Sequence, residues 1–376
     1  MRRQDGADSL SVRGVVVRGM TETRPLRIAQ IAPLFEAVPP RRYGGSERVV
    51  HWLTEALVGM GHAVTLFATG DSRTSATLVP VRARAERFAR NFEFNNAPYA
   101  RMVEMVARRA GEFDVIHSHV DFHPFSVLSR QAVPFVTTLH GRMDQEWIPE
   151  IYGLFPEVPL VSISDNQRRP MPGLGWAGTV LHGMPGDLLR PVAGGGDYFA
   201  FLGRISPEKG IEQAIRIAAA CGVKLKVAAK IGEEDMPYYE EVVAPLLEGE
   251  TVEYVGEIDD AQKPAFLGGA RALLFPIAWP EPFGLVMIEA MACGTPVVAF
   301  RRGSVPEVIE EGVTGFIVET VEEAIAACGR LGALDREAVR ARFETRWTSA
   351  RMAEDYVAIY RRLIARAAVS PSSAGN

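Results

Sequence analysis

Residues 280–300 read PEPFGLVMIEAMACGTPVVAF, and this stretch decides the fold of the second half of the chain. Two prolines bracket Glu281 and disfavour a helix there, which predicts a turn. From Gly284 the residues are apolar or small until Gly294, which is typical of the glycine that ends a helix. The apolar run at 296–300 is typical of a buried strand. The stretch therefore predicts a loop, a helix and a strand in succession.

Two glutamates frame the start of that helix. Glu281 lies just before its N-terminus and Glu289 lies inside it, with seven residues between the two. The free N–H groups of the first turn and the helix dipole make such an N-terminus an anion site. A carboxylate beside it is unsuited to the anion, but it can accept hydrogen bonds from hydroxyl groups of the same ligand. A phosphate carried by a polyol describes a nucleotide sugar.

The composition indicates an ordinary globular protein. The chain has 376 residues, enough for two domains, with 47% hydrophobic and 23% charged residues. A net charge of -5 gives no indication of nucleic-acid binding. The three cysteines are scattered and odd in number, which favours a reducing compartment and argues against a disulfide framework or zinc site. No apolar run approaches the roughly 20 residues that span a bilayer, so we expect a cytoplasmic protein.

The first half of the chain alternates short apolar runs with helical stretches. This pattern predicts a parallel, doubly wound sheet, in which ligands bind at the carboxyl ends of the strands. His119 and His140 follow two of these strands directly, although a strand-end histidine can also be a purely structural residue. The predicted strands cover 27–32, 62–68, 114–119, 134–140, 160–164 and 179–182.

A diglycine, Gly44-Gly45, follows the first strand and opens a helix that is predicted to reach Gly59. A strand, a glycine turn and a helix N-terminus in succession bring backbone amides close to a phosphate or a sugar. The Rossmann and P-loop glycine patterns are both missing from the sequence. A tight turn without a ligand is therefore the alternative interpretation.

The pattern restarts after a linker at 190–197, which contains three consecutive glycines. Strands are predicted at 198–203, 225–229, 252–255 and 272–275, so the second half is another doubly wound unit. Arg204 and Lys209 flank the turn after its first strand. Two cations at such a turn are suited to a diphosphate, although in isolation they would be read as surface charges.

Several segments together resemble the retaining glycosyltransferases of family 4, over about residues 27–363. The resemblance rests on the Glu-x7-Glu run from Glu281 to Glu289, on GRISPEKG at 203–210, on TLHG at 138–141, and on GTPVV and GSVPEV at 294–298 and 303–308. It implies an α/β fold of the GT-B type, in which two doubly wound Rossmann-like domains enclose a cleft and a C-terminal helix crosses back. The implied division is a flexible tail at 1–25, an acceptor-side domain at 26–189, a linker at 190–197, a nucleotide-sugar domain at 198–350, and the crossover helix and tail at 351–376.

The resemblance also implies roles for individual residues. Arg204 and Lys209 would neutralise the donor diphosphate, Glu281 and His140 would contact the donor sugar, and Glu289 would bind the ribose. The catalytic candidates are thus His140, Glu281, Arg204 and Lys209; the donor-binding candidates are Gly44, Gly45, Glu257, Ile258, Phe283, Gly284, Leu285 and Glu289; and His119 is a candidate on the acceptor side.

The expected reaction moves a sugar from a UDP- or GDP-sugar to an unidentified acceptor with retention at the anomeric carbon. Because side chains and amides would neutralise the leaving group, we expect no metal and no cofactor besides the donor. A GT-B UDP-sugar epimerase or hydrolase and a noncatalytic nucleotide-sugar-binding protein are the alternatives. Four arginines at 82–90 could give a basic helix face for peripheral contact with anionic lipid, or only a solvated face. Met20 is an alternative start to Met1.

Overall fold

The computed structural model describes residues 24–41, 44–86, 96–192, 196–249 and 251–369. Most of the predicted N-terminal tail, the polar residues after 369 and the centre of the predicted linker, 193–195, lie outside these ranges. So do Arg87 and Arg90 of the predicted basic face.

The first half forms a seven-stranded parallel sheet in the order β3-β2-β1-β4-β5-β6-β7. Its central strands are short and almost entirely buried, which is typical of a sheet covered on both faces. The strands are β1 Arg27–Ile31, β2 Ala63–Thr69, β3 Thr77–Arg82, β4 Val115–Ser118, β5 Phe135–Thr138, β6 Leu160–Ser162 and β7 Trp176–Thr179.

The second half repeats the plan in a six-stranded parallel sheet, in the order β10-β9-β8-β11-β12-β13. The strands are β8 Tyr198–Arg204, β9 Lys224–Lys230, β10 Val252–Gly256, β11 Ala272–Phe275, β12 Val297–Phe300 and β13 Gly315–Val318. In both sheets the strand order reverses beside the first strand. Such a reversal opens a crevice at the carboxyl ends of the strands, where α/β proteins bind ligands.

Helices cover both sheets. Those of the first half are α1 Gly45–Gly59, α2 Asn96–Arg108, α3 Phe125–Leu128 and α4 Ile148–Tyr152. Those of the second half are α5 Ile211–Ala220, α6 Met236–Tyr238, α7 Ala244–Leu247, α8 Lys263–Gly268, α9 Leu285–Ala292, α10 Val305–Val308, α11 Val321–Cys328, α12 Arg336–Arg346 and α13 Ser349–Val369.

The 21-residue helix α13 crosses back onto the first half, which confirms the predicted crossover. It packs on α1 and β4, and Tyr356 and Tyr360 are fully buried there. The segment that leads back to the first half lies beside the segment that leaves it, because Met184 and Thr348 form an isolated parallel bridge. A Cβ atom on Gly183 would lie 2.2 Å from the Thr348 carbonyl oxygen, so the two crossings touch backbone to backbone.

Two local predictions were wrong, and two strands were missed. The strand predicted at 179–182 lies at Trp176–Thr179, because Trp176 pairs with Leu160. Arg82 ends strand β3 and is not on a helix; Pro80 hid this edge strand, because proline is rare inside strands. Strand β13 was also not predicted.

Candidate active site

A cavity of about 630 Å³ lies between the two sheets, at the carboxyl ends of their strands. We call the lining residues from 24–192 the N-terminal wall and those from 196–346 the C-terminal wall. The first turns of α1 and α9 meet here, since a Cβ atom on Gly45 would lie 3.8 Å from the Leu285 side chain. The candidates that line the cavity are Gly44, Gly45, His140, Arg204, Lys209, Glu257, Ile258, Glu281, Phe283, Gly284, Leu285 and Glu289. The structure therefore brings together every candidate except His119.

The loop before α9 is held by the segment that follows β12. Gly303 lies so close that a Cβ atom there would stand 2.2 Å from the Glu281 carbonyl oxygen. Ser304 donates its backbone N–H to that oxygen at 2.9 Å and its hydroxyl to the Phe283 carbonyl at 2.7 Å. Gly284 then enters α9 with a φ of 80°, which a side chain would strain. These contacts explain why the sequence needs glycine at both positions.

The Glu281 carboxylate is bonded on the floor of the cavity. Its Oε2 accepts hydrogen bonds from Lys209 Nζ at 2.7 Å and from Trp279 Nε1 at 2.8 Å. Lys209 also stands 4.7 Å from the centre of the Trp279 ring, a cation–π distance. Lys209 reaches this point because Gly210, with a φ of 74°, turns the chain tightly against Pro276.

Arg204 ends strand β8 and is surrounded by carboxylates. It donates to Glu208 and Glu234 at 2.8 Å each, and its Nε stands 3.3 Å from Asp235. The two predicted phosphate cations are therefore both neutralised by acidic side chains. An incoming diphosphate would have to take over these partnerships.

Glu289 belongs to a chain of alternating charges that links the two walls. Its carboxylate, only 4% exposed, accepts a hydrogen bond from Lys263 Nζ at 2.6 Å. Lys263 also lies 3.0 Å from Asp260, which pairs in turn with Arg48 of the N-terminal wall. Burial alone would raise the pKa of Asp260, but Lys263 and Arg48 hold it below its usual range. Sequence reasoning missed all three partners, because they are ordinary charged residues and Arg48 lies 212 residues before Asp260 in the chain.

His140 joins a buried network of neutral groups beneath the N-terminal wall. Its Nε2 lies 2.9 Å from His119 Nδ1, and His119 Nε2 lies 2.8 Å from Gln30 Oε1. Its ring also stacks on His182, 5.3 Å between centres, and His182 meets the edge of Phe283 at 4.8 Å. His119 thus lies behind His140 and outside the main cavity.

Burial lowers the pKa of the histidines in this region. The pKa of His140 falls to about 4, and the pKa values of His117, His119 and His182 fall well below their usual range. Burial is the largest cause for each, and the neighbouring histidines add to it for the last three. All four imidazoles are therefore neutral at pH 7, so His140, which lines the cavity, offers the ligand a hydrogen bond without charge.

A second cavity of about 340 Å³ adjoins the first and shares Ser46, Glu47, His140 and Gly141 with it. His119 and Asp121 line it. Asp121 has a φ of 47°, which is unusual for a residue with a side chain. Loss of solvation in this concave site raises the pKa of the Asp121 carboxyl group to about 6. Sequence reasoning missed Asp121, although its position two residues after His119 at the end of β4 was a usable signal.

The part of the chain that the structure describes contains no group of three or more histidine, cysteine, aspartate or glutamate residues arranged to hold a metal ion. Among the described helices, none has the length and apolar character needed to cross a membrane.

Comparison with known proteins identifies the class. Residues 191–372 match the family described as Glycosyl transferases group 1, and residues 43–165 match Glycosyltransferase Family 4. Phosphatidyl-myo-inositol mannosyltransferase of Mycolicibacterium smegmatis is 26% identical over 85% of this chain and 88% of its own length. AviGT4, a glycosyltransferase involved in avilamycin A biosynthesis, superposes with a TM-score of 0.70 at 27% identity, over 91% of this chain and 98% of its own.

The fold recurs in a structure of Anabaena HepE in complex with UDP and glucose, at a TM-score of 0.69 and 18% identity, over 90% of this chain and all of the other. The chain belongs to the group 1 glycosyltransferases and has the GT-B fold. It is a glycosyltransferase.

Proposed function

We propose that this glycosyltransferase takes its sugar from a UDP- or GDP-sugar and transfers it with retention at the anomeric carbon. The observation that carries the proposal is the C-terminal wall. Two cations, Arg204 and Lys209, and the N-terminus of α9 converge on one cavity with Glu281 between them. Such an arrangement suits a diphosphate joined to a polyol. HepE, which shares the fold, was crystallised with UDP and glucose.

The chemistry requires stabilisation of a leaving diphosphate and of an oxocarbenium-like transition state. Lys209, Arg204 and the amides of the first turn of α9 would meet the charge that develops on the leaving oxygen. When Lys209 moves its hydrogen bond from Glu281 to a phosphate, the Glu281 carboxylate is released to accept from sugar hydroxyl groups. Glu289 would bind the ribose, and Glu257 and Ile258 would line the place of the base.

The neutral His140 would contact the transferred sugar between the two cavities. The smaller cavity would hold the acceptor, with Asp121 and Glu47 accepting hydrogen bonds from its hydroxyl groups. Because this chain supplies the neutralising charge through side chains and amides, we propose that no metal is needed. We also propose a cytoplasmic location, since all three cysteines are free, including the neighbouring Cys221 and Cys328.

The first experiment is a thermal-shift panel of nucleotides and nucleotide sugars. A ligand at 100 times its Kd adds about 2.7 kcal/mol to the free energy of unfolding, so the true donor should stand out. The anomeric configuration of the product, read by NMR, then tests retention.

Product formed only when acceptor is present supports transfer, whereas UDP and free or epimerised sugar without acceptor indicate the hydrolase or epimerase. Binding without any turnover indicates a noncatalytic protein. Loss of activity in EDTA that Mg²⁺ or Mn²⁺ restores would contradict metal independence.

A further inference from the structure

The hydrogen bonds of His140 continue through the sheet to the crossover helix. Gln30, on the central strand β1 and fully buried, accepts through Oε1 from His119 and donates through Nε2 to Tyr360 Oη at 3.3 Å. Tyr360 Oη lies 2.6 Å from His117 Nδ1, and His117 Nε2 lies 2.7 Å from Thr138 Oγ1. A residue near the C-terminal end of the chain is thereby connected to the candidate sugar-binding histidine without touching the cleft.

The partners determine where the protons are. A neutral imidazole has one N–H and one bare nitrogen, and an amide oxygen can only accept. His119 therefore donates from Nε2 to Gln30 Oε1, which leaves its Nδ1 bare. His140 must then donate from Nε2 to that bare nitrogen. The remaining nitrogen of His140, Nδ1, carries no proton, and among the described residues it has no hydrogen-bond partner.

The opposite direction is also chemically complete, so a single amide decides between the two. If the Gln30 amide were turned over, the direction of every hydrogen bond in the series from His140 to Thr138 would reverse: each donor would become an acceptor, and each acceptor a donor. The contact of Gln30 Nε2 with Tyr360 Oη, at 3.3 Å, holds the observed orientation. Tyr360 gives its own proton to His117 Nδ1 at 2.6 Å, so its oxygen accepts from the NH₂ end of Gln30.

We propose that Gln30, oriented by Tyr360, is a positioning residue that fixes the tautomer of His140 so that its unprotonated Nδ1 faces the cleft. His140 then accepts a hydrogen bond from a hydroxyl group of the transferred sugar. A donor sugar that lacks this hydroxyl group would lose the contact. The identity of the ligand as a sugar rests on the proposed function, whereas the tautomer does not.

The direct test is ¹⁵N NMR of the histidine side chains in the ligand-free protein, which distinguishes a protonated ring nitrogen from a bare one. Wild type should show His140 with Nε2 protonated and Nδ1 bare. Gln30→Met removes both ends of the amide, and Tyr360→Phe removes only the hydroxyl that orients it; both should give a mixture of His140 tautomers. Ile28 lies on the same strand as Gln30 and in the same core cluster as Tyr360. The control variant Ile28→Val should therefore keep the wild-type tautomer of His140.

Donor kinetics provide the second readout. Gln30→Met should lower kcat at least tenfold with donor KM changed less than threefold, because the misplaced contact is made to the reacting sugar. Tyr360→Phe, which preserves the core shape if Gln30→Met does not fold, should lower kcat several-fold, and Ile28→Val should match wild type.

Two results would overturn the proposal: a wild-type His140 protonated at Nδ1, or variants with an unchanged tautomer whose kcat falls no more than that of Ile28→Val. If wild type transfers no sugar at all, the proposed function fails, but the NMR experiment still decides the role of Gln30.

Discussion

The two walls of the cleft solve the same problem, holding polar groups ready for a ligand, in opposite ways. The C-terminal wall uses full charges held in ion pairs, such as Lys209 with Glu281 and Lys263 with Glu289. The N-terminal wall also carries charged residues, such as Arg48 and Glu47, but its His140 is held from behind by two neutral groups, His119 and Gln30, through hydrogen bonds.

The difference has an energetic consequence. A ligand on the C-terminal wall must displace existing ionic partners, and each displaced carboxylate needs a new one. A ligand on the N-terminal wall finds a bare nitrogen that is already oriented. We therefore expect substitutions on the C-terminal wall to act through the loss of a charge. At the N-terminal wall we expect the effects to depend on the position of protons and on pH.

The largest expected effect is acid destabilisation through the N-terminal wall. His117, His119 and His182 are buried, and their pKa values lie well below the ordinary 6.5. A histidine with a lowered pKa contributes stability above pH 6.5 that is lost as the pH falls toward the folded-state pKa. At pH 5 His140, whose pKa is about 4, should cost about 2 kcal/mol of unfolding free energy, and the other three histidines should add to this loss. Urea unfolding at pH 7.5 and pH 5 measures this loss, and equal stability at both pH values would contradict it.

The second effect is loss of turnover on the C-terminal wall. Arg204→Ala and Lys209→Ala should each lower kcat about 100-fold, the typical result of removing one donor that stabilises the transition state. Lys224→Ala is a matched control, because Lys224 lies on the same sheet with half of its side chain exposed and, among the residues described, forms its ion pair with Glu253. Steady-state kinetics with saturating acceptor measure all three. Near-normal turnover in both cleft variants would remove the diphosphate role.

The two glutamates should fail differently. Glu281→Gln should lower kcat about tenfold, because this carboxylate faces the reacting sugar, whereas Glu289→Gln should mainly raise donor KM. The structure adds a second expectation for Glu289→Gln. Its partner Lys263 is only 7% exposed, so weakening the pair should lower the free energy of unfolding by about 1–3 kcal/mol.

Adding Lys263→Met to Glu289→Gln separates the two roles of Glu289. The double variant should regain stability, because no unpaired ammonium remains, but it should keep the raised donor KM. A Glu289→Gln protein with a lowered Tm and unchanged donor KM would refute the ribose role.

The smallest effect concerns Asp121, which lines the smaller cavity. Because its pKa is raised to about 6, the ionised form is disfavoured, and the cost is present above pH 6 and absent below about pH 4. Asp121→Asn should raise Tm by only a degree or two at pH 7.5, since water reaches the side chain and screens its charge. The gain should vanish at pH 4, and a gain that persists there would contradict the raised pKa.

The sequence predicted what is local and apolar. The run at 280–300 produced the loop, the helix and strand β12 almost residue for residue, because periodicity and glycine positions determine them. Edge strand β3 escaped, since Pro80 and exposed side chains weaken the apolar alternation. The resemblance to a known family then identified the candidate residues of the C-terminal wall, because they follow the ends of neighbouring strands.

The partners of those candidates could not be predicted. Gln30 and Tyr360 are separated by 330 residues, and Arg48 and Asp260 by 212. The sequence around Gln30 and around Lys263 does not indicate that either side chain is buried. Only the folded chain shows that His140 and Glu289 already have hydrogen-bond partners.

The return of α13 to the first sheet has a consequence for how the protein is made. The hydrogen-bond partners of Gln30, His117 and Thr138 include hydroxyl groups of Tyr360 and Tyr356, which are translated after all the strands of both sheets. At about 5–20 residues per second, the ribosome needs on the order of 10–40 s to proceed from the end of the first half to α13. During that interval the nascent first half exposes an apolar groove and an incomplete polar network. We therefore expect the first half to complete its packing only after α13 has emerged.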